Sequence, residues 1–257
     1  AAQAACTVVD NTITCTGAFG STLNFGPGDV ALPFDLTVIN LDAGTDIDVI
    51  GDFGVNAFSL MDLSLVNDGS INVYNEFGNA IGIYALSQYG DTEVINNGSI
   101  SATSYSGSVA GIVALSAYGD ASASNDFFIN TYSVYGDAYG MYVASPYGEV
   151  NASTGLDSST TAQSVFGDAT GIRAESLAGD VSVDSAGAIT ALSTNGDAIG
   201  ILATSVYGAV DVSNGGYIRA ETSYGNAFGI VAASTYDDVA VYNTGGVHAV
   251  TYADGLA

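Results

Sequence analysis

Acidic side chains recur at two offsets along this chain, and columns of carboxylates are candidate calcium ligands. The two columns consist of Asp91, Asp120, Glu149 and Asp180, and of Asp137, Asp168 and Asp197. Each acid directly follows a glycine, and members of a column are 29 or 31 residues apart. Calcium would relieve the repulsion between stacked carboxylates, whereas a Gly-Asp pair is also favourable in a plain turn. We favour the turn interpretation, keep calcium as the alternative, and expect no other cofactor.

Groups suited to catalysis are sparse. The chain has one histidine, His248, two arginines, Arg173 and Arg219, and no lysine. A catalytic site departs from a repeat, but the least regular segment, residues 149–165, carries only the acids Glu149 and Asp157. No serine stands in a triad-like order with His248. We therefore predict that the chain is not an enzyme, and a carbohydrate-active enzyme is the least favoured alternative.

The formal net charge of −25 restricts the partners of this chain. A surface of this charge repels DNA, RNA and anionic lipid, which are themselves polyanions. No apolar run approaches the ~18 residues of a membrane helix. We expect no nucleic-acid binding and no membrane insertion, which leaves cations and neutral surfaces as favourable partners.

A repeat must position these residues. Its marker is a glycine spaced by 29 or 31 residues, at Gly82, Gly111, Gly140, Gly171, Gly200 and Gly229. Each unit holds three short runs of period two, separated by turns rich in Gly, Asp, Asn and Tyr, as is typical of strands. The sequence predicts an all-β, right-handed parallel β-helix (a β-solenoid) of about eight coils of ~29 residues, with three short strands per coil. Residues 1–35 form an N-terminal hairpin and cap segment in this prediction, and residues 36–257 form the repeats.

Residues at one offset of a solenoid stack into ladders, in which polar side chains can hydrogen-bond along the axis. The serine ladder is predicted at Ser87, Ser116, Ser145, Ser176, Ser205 and Ser234. The asparagine ladder is predicted at Asn96, Asn125, Asn214 and Asn243. The tyrosine ladder is predicted at Tyr89, Tyr118, Tyr147, Tyr207 and Tyr236. These ladders explain why the unit of about 29 residues is repeated, because the side chains of each coil must match those of the coil on which it stacks.

The segment "CTVVDNTITC" contains both cysteines, with four residues on each side of Asp10 and Asn11. A two-residue hairpin turn there places Cys6 opposite Cys15, in a geometry that suits a disulfide. Two reduced, buried thiols are the alternative. A disulfide implies an oxidising compartment, and the small residues of "AAQAAC" are typical of a chain whose signal peptide has been removed. We therefore expect an extracellular or cell-surface location.

Two surfaces are candidates for contact with another chain. Alternate residues of the first strand form an apolar outward stripe at Tyr84, Val113, Tyr142, Leu202 and Val231. This stripe favours lateral contact, with a covering loop or the N-terminal segment as the alternative. The other surface is the parallel strand edge at the end of the repeats, near "ADGLA" (residues 253–257). Either the chain continues there or the next subunit covers that edge.

Several phrases resemble the passenger regions of bacterial autotransporters and related surface β-helix adhesins. They are "GDAYGM" and "GDAIGI", which start at Gly136 and Gly196, "NNGSI" from Asn96, and the leading "CTVVDNTITCTG". The resemblance spans nearly the whole chain, and it implies export by a Gram-negative bacterium and display or release outside the cell.

We expect a non-enzymatic extracellular structural protein, either a self-associating fibre subunit or an adhesin stalk. Its partner would be a second copy of the chain, bound end to end or laterally. The alternative is an autotransporter passenger fragment that binds glycans or a host surface through its tyrosine-rich turns.

Overall fold

The computed structural model describes residues 5–9, 12–26 and 38–252, and within these ranges all regular structure is β-strand. The strands are, in chain order, β1 Ala5–Val9, β2 Thr12–Phe19, β3 Leu23–Phe25, β4 Val38–Ile50, β5 Phe53–Ser59, β6 Leu63–Asn67, β7 Ser70–Asn75, β8 Ala80–Ser87, β9 Thr92–Asn96, β10 Ser99–Ser104, β11 Val109–Ser116, β12 Ala121–Asn125, β13 Phe128–Ser133, β14 Ala138–Ser145, β15 Val150–Thr154, β16 Ser159–Ser164, β17 Ala169–Ser176, β18 Val181–Ser185, β19 Ala188–Ser193, β20 Ala198–Ser205, β21 Val210–Asn214, β22 Tyr217–Thr222, β23 Ala227–Ser234, β24 Val239–Asn243 and β25 Gly246–Thr251.

Three parallel stacks of strands form a β-solenoid of about eight turns, which confirms the predicted fold class. Face A contains β3, β5, β8, β11, β14, β17, β20 and β23. Face B contains β6, β9, β12, β15, β18, β21 and β24, and face C contains β7, β10, β13, β16, β19, β22 and β25. The turns between faces A and B, B and C, and C and A are called corners AB, BC and CA. The predicted boundary between residues 35 and 36 lies outside the described residues.

Equivalent residues of successive coils pair in register, so the sequence repeat becomes a spatial repeat. Ile83, Ile112 and Met141, for example, follow one another across face A. The coil that contains β15 is two residues longer than its neighbours, and turn residues 155–158 of corner BC absorb the difference. The strands on either side of that turn therefore keep their register.

The interior is a column of small and branched apolar side chains. Burial alternates with period two along each strand, as expected for strands with one face in a core. Each coil contributes aliphatic residues to the column, such as Ile112, Ala114 and Ile129. The marker glycine is required by the close approach of the strand to this core. A Cβ atom at Gly111 would clash with Ile129 Cγ2 and lie 2.7 Å from the Gly140 carbonyl oxygen.

The N-terminal end is built differently from the repeats. Strand β4 is long enough to pair with both β6 and β7, so it runs through corner BC without a break. Strand β2 pairs in parallel with β4, and β1 pairs antiparallel with β2. In that pairing Cys6 lies opposite Cys15, and the two sulfur atoms are 2.02 Å apart. The predicted turn residues Asp10 and Asn11 lie outside the described residues.

The coil formed by β23, β24 and β25 exposes side chains that are buried in every coil before it. Val239, Val241 and Val247 are 43%, 47% and 43% exposed. The equivalent residues one coil earlier, Val210, Val212 and Ile218, are fully buried. This coil therefore presents an apolar, unpaired parallel edge within the described part of the chain, and residues 253–257 lie outside it.

Candidate functional surfaces

The serine ladder lies at corner AB and joins each coil to the one before it. Ser145 Oγ donates to the Gly119 carbonyl oxygen at 2.6 Å and accepts from the Gly148 N–H at 2.9 Å. Ser205 makes the same two bonds, to Gly179 and Gly208. The hydroxyls thus bond to backbone groups of the preceding coil and of their own turn rather than to each other. Ser87, Ser116, Ser176 and Ser234 also donate to the preceding coil.

The same serine hydrogen bonds recur at corner CA, where the sequence analysis predicted an acid column but no serine ladder. Ser133 Oγ donates to the Gly107 carbonyl oxygen at 2.8 Å and accepts from the Gly136 N–H at 2.9 Å. The signal in the sequence is the repeated Ser-x-x-Gly of "SVYG" and "SVFG", which matches the "SAYG" and "SPYG" phrases of corner AB. Two corners of the solenoid therefore use one turn chemistry.

The acid columns also join successive coils. At corner AB, Asp91 Oδ1 accepts from the Asp120 N–H at 2.8 Å, and Asp120 Oδ1 accepts from the Glu149 N–H at 2.7 Å. At corner CA, Asp137 Oδ1 accepts from the Asp168 N–H at 2.9 Å, and Asp168 Oδ1 accepts from the Asp197 N–H at 2.7 Å. These bonds favour the turn interpretation for the aspartates of the columns, because each of these aspartate carboxylates accepts a backbone N–H of the next coil. Asp180 does the same for the Ala209 N–H.

Calcium binding is testable at Asp120. No group of three or more His, Cys, Asp or Glu side chains within the described ranges is arranged to hold a metal ion. An asparagine keeps the oxygen that accepts from Glu149 but removes a charge, so we expect Asp120→Asn to leave the thermal midpoint unchanged or raise it slightly. We also expect the wild-type midpoint, measured by circular dichroism, to be the same in millimolar calcium and in chelator. A calcium-dependent increase that Asp120→Asn abolishes would contradict the turn interpretation.

The asparagine ladder lies at corner BC, and its members are buried except for Asn243 in the last described coil. Asn96 Nδ2 donates to Asn125 Oδ1 at 2.7 Å, and Asn96 Oδ1 accepts from Asn67 Nδ2 at 2.7 Å. The side chains of Asn67, Asn96 and Asn125 are fully buried. Further along the rod, Asn214 Nδ2 donates to Asn243 Oδ1 at 2.7 Å.

Two hydroxyl residues fill the gap between the two halves of this ladder. Thr154 and Ser185 occupy the equivalent position in the intervening coils, and their hydroxyl oxygens lie 3.1 Å apart. The sequence analysis missed them because it searched that offset for asparagine alone. A hydroxyl group can donate and accept hydrogen bonds in this buried corner, and its side chain occupies a smaller volume than that of asparagine.

The tyrosine ladder is on the outer surface of corner AB. The rings of Tyr89 and Tyr118 have centroids 5.8 Å apart, and those of Tyr118 and Tyr147 are 5.4 Å apart with an interplanar angle of 6°. Tyr207 and Tyr236 stack at 5.1 Å on the other side of Ala178. The rings are more than half exposed, so they form an aromatic strip that is open to solvent.

A second aromatic strip follows corner CA. Tyr135 and Phe166 stack with centroids 5.0 Å apart, and Tyr105 contacts Tyr135 edge to face at 5.3 Å. The signal that the sequence analysis overlooked is the aromatic residue before the glycine in "VYGD" and "VFGD". Face A is thus bordered by an aromatic strip along each of its two corners.

The predicted outward stripe lies along the middle of face A. Tyr84, Tyr142, Leu202 and Val231 are half-buried by their neighbours in the sheet, and Val113 is 6% exposed. Arg173 occupies the same column between Tyr142 and Leu202. The stripe therefore contains one charged residue.

Arg173 forms a local cluster with acids and aromatic rings. Its guanidinium carbon lies 5.2 Å from the centroid of the Tyr142 ring and 5.7 Å from that of Tyr139, and its Nη2 lies 2.8 Å from Glu175 Oε1. The ion pair with Glu175 balances this charge, and the cation–π contacts hold the guanidinium against the two rings. Burial raises the pKa of the Tyr139 and Tyr142 hydroxyls, and the charges of Asp137 and Glu175 add to that increase.

The other basic residues lie together on face C. Arg219 donates two bonds of 2.7 Å to the Glu221 carboxylate, and His248 Nε2 lies 3.3 Å from Glu221 Oε1. The bonds from Arg219 lower the pKa of Glu221. Arg219 and Glu221 thus form an ion pair on the outward side of face C, with His248 next to it.

No known protein family, curated protein or solved structure matches this chain. Across the described residues, no helix is long and apolar enough to cross a membrane.

Proposed function

We propose that this chain is a non-enzymatic, extracellular structural protein, which acts as a fibre subunit or as the stalk of a surface adhesin. The main observation in support of this proposal is the apolar parallel edge of the last described coil, where Val239, Val241 and Val247 are exposed. An edge of this kind is stabilised when a further coil stacks on it. In a fibre a second copy supplies that coil, and in a stalk the same polypeptide supplies it.

The regularity of the rod supports a structural role. Serine, asparagine and acid side chains make equivalent bonds between coils along its length. A structural rod needs this uniformity, whereas an enzyme needs a local departure from it. The paired cysteines of the N-terminal hairpin are compatible with an extracellular location. Export by a Gram-negative bacterium, in the manner of autotransporter passengers, belongs to this proposal.

Negative-stain electron microscopy of the purified chain tests the fibre version. We expect filaments in place of separate rods of roughly 40 Å, the length of about eight coils at a strand spacing of 4.8 Å. Val241→Lys places a charge on the docking surface and should abolish the filaments. Tyr242→Lys is the matched control, because the neighbouring side chain is 70% exposed and projects from the opposite side of the strand.

Separate rods at every concentration would contradict the fibre version. Filaments that Val241→Lys and Tyr242→Lys weaken equally would also contradict it, since the contact would then be electrostatic rather than coil stacking. Filaments that form only with calcium would assign the acid columns a metal-binding role.

Glycan binding is the second candidate, and the exposed tyrosine strip favours it. Tyr89, Tyr118 and Tyr147 present near-parallel rings that are each 58% exposed, and sugar rings stack on aromatic surfaces of this kind. Rods that stay separate and bind a glycan only while Tyr118 is intact would favour this role over the fibre.

A further inference from the structure

The three faces of the solenoid differ sharply in outward chemistry. Face B carries serine and asparagine along with acids such as Glu93, Asp184 and Asp211. Face C combines serine, threonine and asparagine with separate exposed aromatic residues such as Tyr74 and Tyr217. The middle column of face A instead holds Tyr84, Val113, Tyr142, Leu202 and Val231, with Arg173 among them. The columns on either side add residues such as Ile81, Ile199, Leu86 and Leu115.

The balance of charge on face A allows two of these rods to approach each other through it. A chain of net charge −25 repels its own copies in most orientations. The outward positions of β5 to β23 on face A carry one arginine and one glutamate, Arg173 and Glu175, and these two neutralise each other at 2.8 Å. Contact through face A therefore brings fewer like charges together than contact through face B, although acids at corners AB and CA lie at its borders. Face C has a similarly balanced pair, Arg219 and Glu221, but its middle column is polar. That column contains Asn72, Ser101, Asn130, Thr161 and Thr190.

The area of face A suits a stable dimer. Seven strands from β5 to β23 span roughly 34 Å along the axis, and six residues of each strand span about 20 Å. The face therefore measures about 700 Å² per copy, or about 1,400 Å² in a pair, which is within the range of specific protein interfaces.

The centre of face A has the composition of an interface hot spot. Strand β14 is the middle of the seven strands, and it carries Tyr139 and Tyr142, with Arg173 next to them on β17. Tyrosine and arginine are enriched among residues that dominate binding energy, especially near the middle of an interface. Each of these side chains is already held by a neighbour, so little conformational entropy is lost when a partner docks.

We propose that face A pairs with face A of a second copy of this chain. The two sheets pack face to face about 10 Å apart, with the Tyr139, Tyr142 and Arg173 cluster at the centre of the contact. This contact uses the side of the rod and not its end, so it does not depend on the proposed fibre. The acids at the borders make the pairing salt-dependent, because screening weakens their repulsion.

Sedimentation equilibrium with two matched variants tests the pairing. Leu202→Glu places a charge on face A, and Leu192→Glu makes the same change at a half-exposed position on the outward side of face C. We expect the wild type to be dimeric at micromolar concentration in 0.15 M salt and more strongly so in 0.5 M salt. Leu202→Glu should raise the dissociation constant of the dimer at least 100-fold, because a symmetric contact contains the substitution twice. Leu192→Glu should have the same dissociation constant as the wild type.

The outcomes separate the pairing from its alternatives. A wild type that is monomeric at all concentrations and salts overturns the proposal, including the case in which another protein or another segment of this chain covers face A. Equal weakening by both variants overturns it as well. If Leu202→Glu fails to fold by circular dichroism, Tyr142→Ser serves as the second face A variant with the same expected loss. Dimers without filaments would support the pairing and count against the fibre.

Discussion

Replacing Gly216 with alanine is expected to lower the free energy of unfolding by about 3 kcal/mol or more. A Cβ atom at this position would clash with the Gly187 carbonyl oxygen of the coil before it and lie 2.8 Å from the Ala186 carbonyl oxygen. Backbone atoms cannot move aside as a flexible side chain can, so the coils themselves must separate. Urea titration followed by circular dichroism measures the loss, as a lower midpoint.

Gly215 supplies a matched control in the same turn. A Cβ atom there would have its nearest neighbours, Ser185 O and Thr244 Oγ1, at 3.9 Å, which is an ordinary contact. Gly215→Ala should therefore shift the urea midpoint little. Equal effects of the two alanines would mean that backbone entropy, and not the close stacking of corner BC, governs this turn.

Replacing Asn96 with alanine should lower the free energy of unfolding by about 2–3 kcal/mol. Its side chain is fully buried and connects Asn67 to Asn125 through two bonds of 2.7 Å. Without it, Asn67 Nδ2 keeps only a 3.4 Å contact to the Gly69 carbonyl oxygen, and a cavity opens in the corner. An unsatisfied buried polar group costs about 1–3 kcal/mol, to which the lost packing adds.

The neighbouring Asn97 is the control for this experiment. Its side chain is exposed and makes one bond of 2.8 Å to Asp68 Oδ1. Asn97→Ala should therefore cost less than about 0.5 kcal/mol, as is usual for surface substitutions. If Asn96→Ala and Asn97→Ala have the same urea midpoint, the asparagine ladder does not contribute to stability.

The fold was predictable because a parallel solenoid imposes its geometry on the sequence. Residues that stack must suit one another in every coil, so their offsets recur at a spacing near 29 residues. The marker glycine shows this most directly, since Gly111 leaves no room for a side chain against Ile129. The opposition of Cys6 and Cys15 was predictable for a related reason, because a two-residue hairpin leaves one register.

The partners of the polar residues were harder to predict. A sequence period indicates which residues stack but not which of their atoms form hydrogen bonds. The period places serine above serine, for example, but it does not show that Ser145 Oγ donates to the Gly119 carbonyl oxygen and not to another serine. The Arg173 cluster could not be predicted from the sequence for the opposite reason. It occurs once, so no repeat marks it, and its contacts to Tyr139 and Tyr142 depend on how side chains lie across two neighbouring columns of one face.

The first and the last described coils differ in their strand pairing, and this difference gives the solenoid a direction. At one end β1 runs antiparallel and covers residues 12–16 of β2, so that stretch offers no parallel template. At the other end β23, β24 and β25 display backbone and valine side chains in the arrangement that orders a coil. A coil that stacks on β23, β24 and β25, from this chain or from a second copy, therefore extends the described solenoid in one direction only, away from the hairpin.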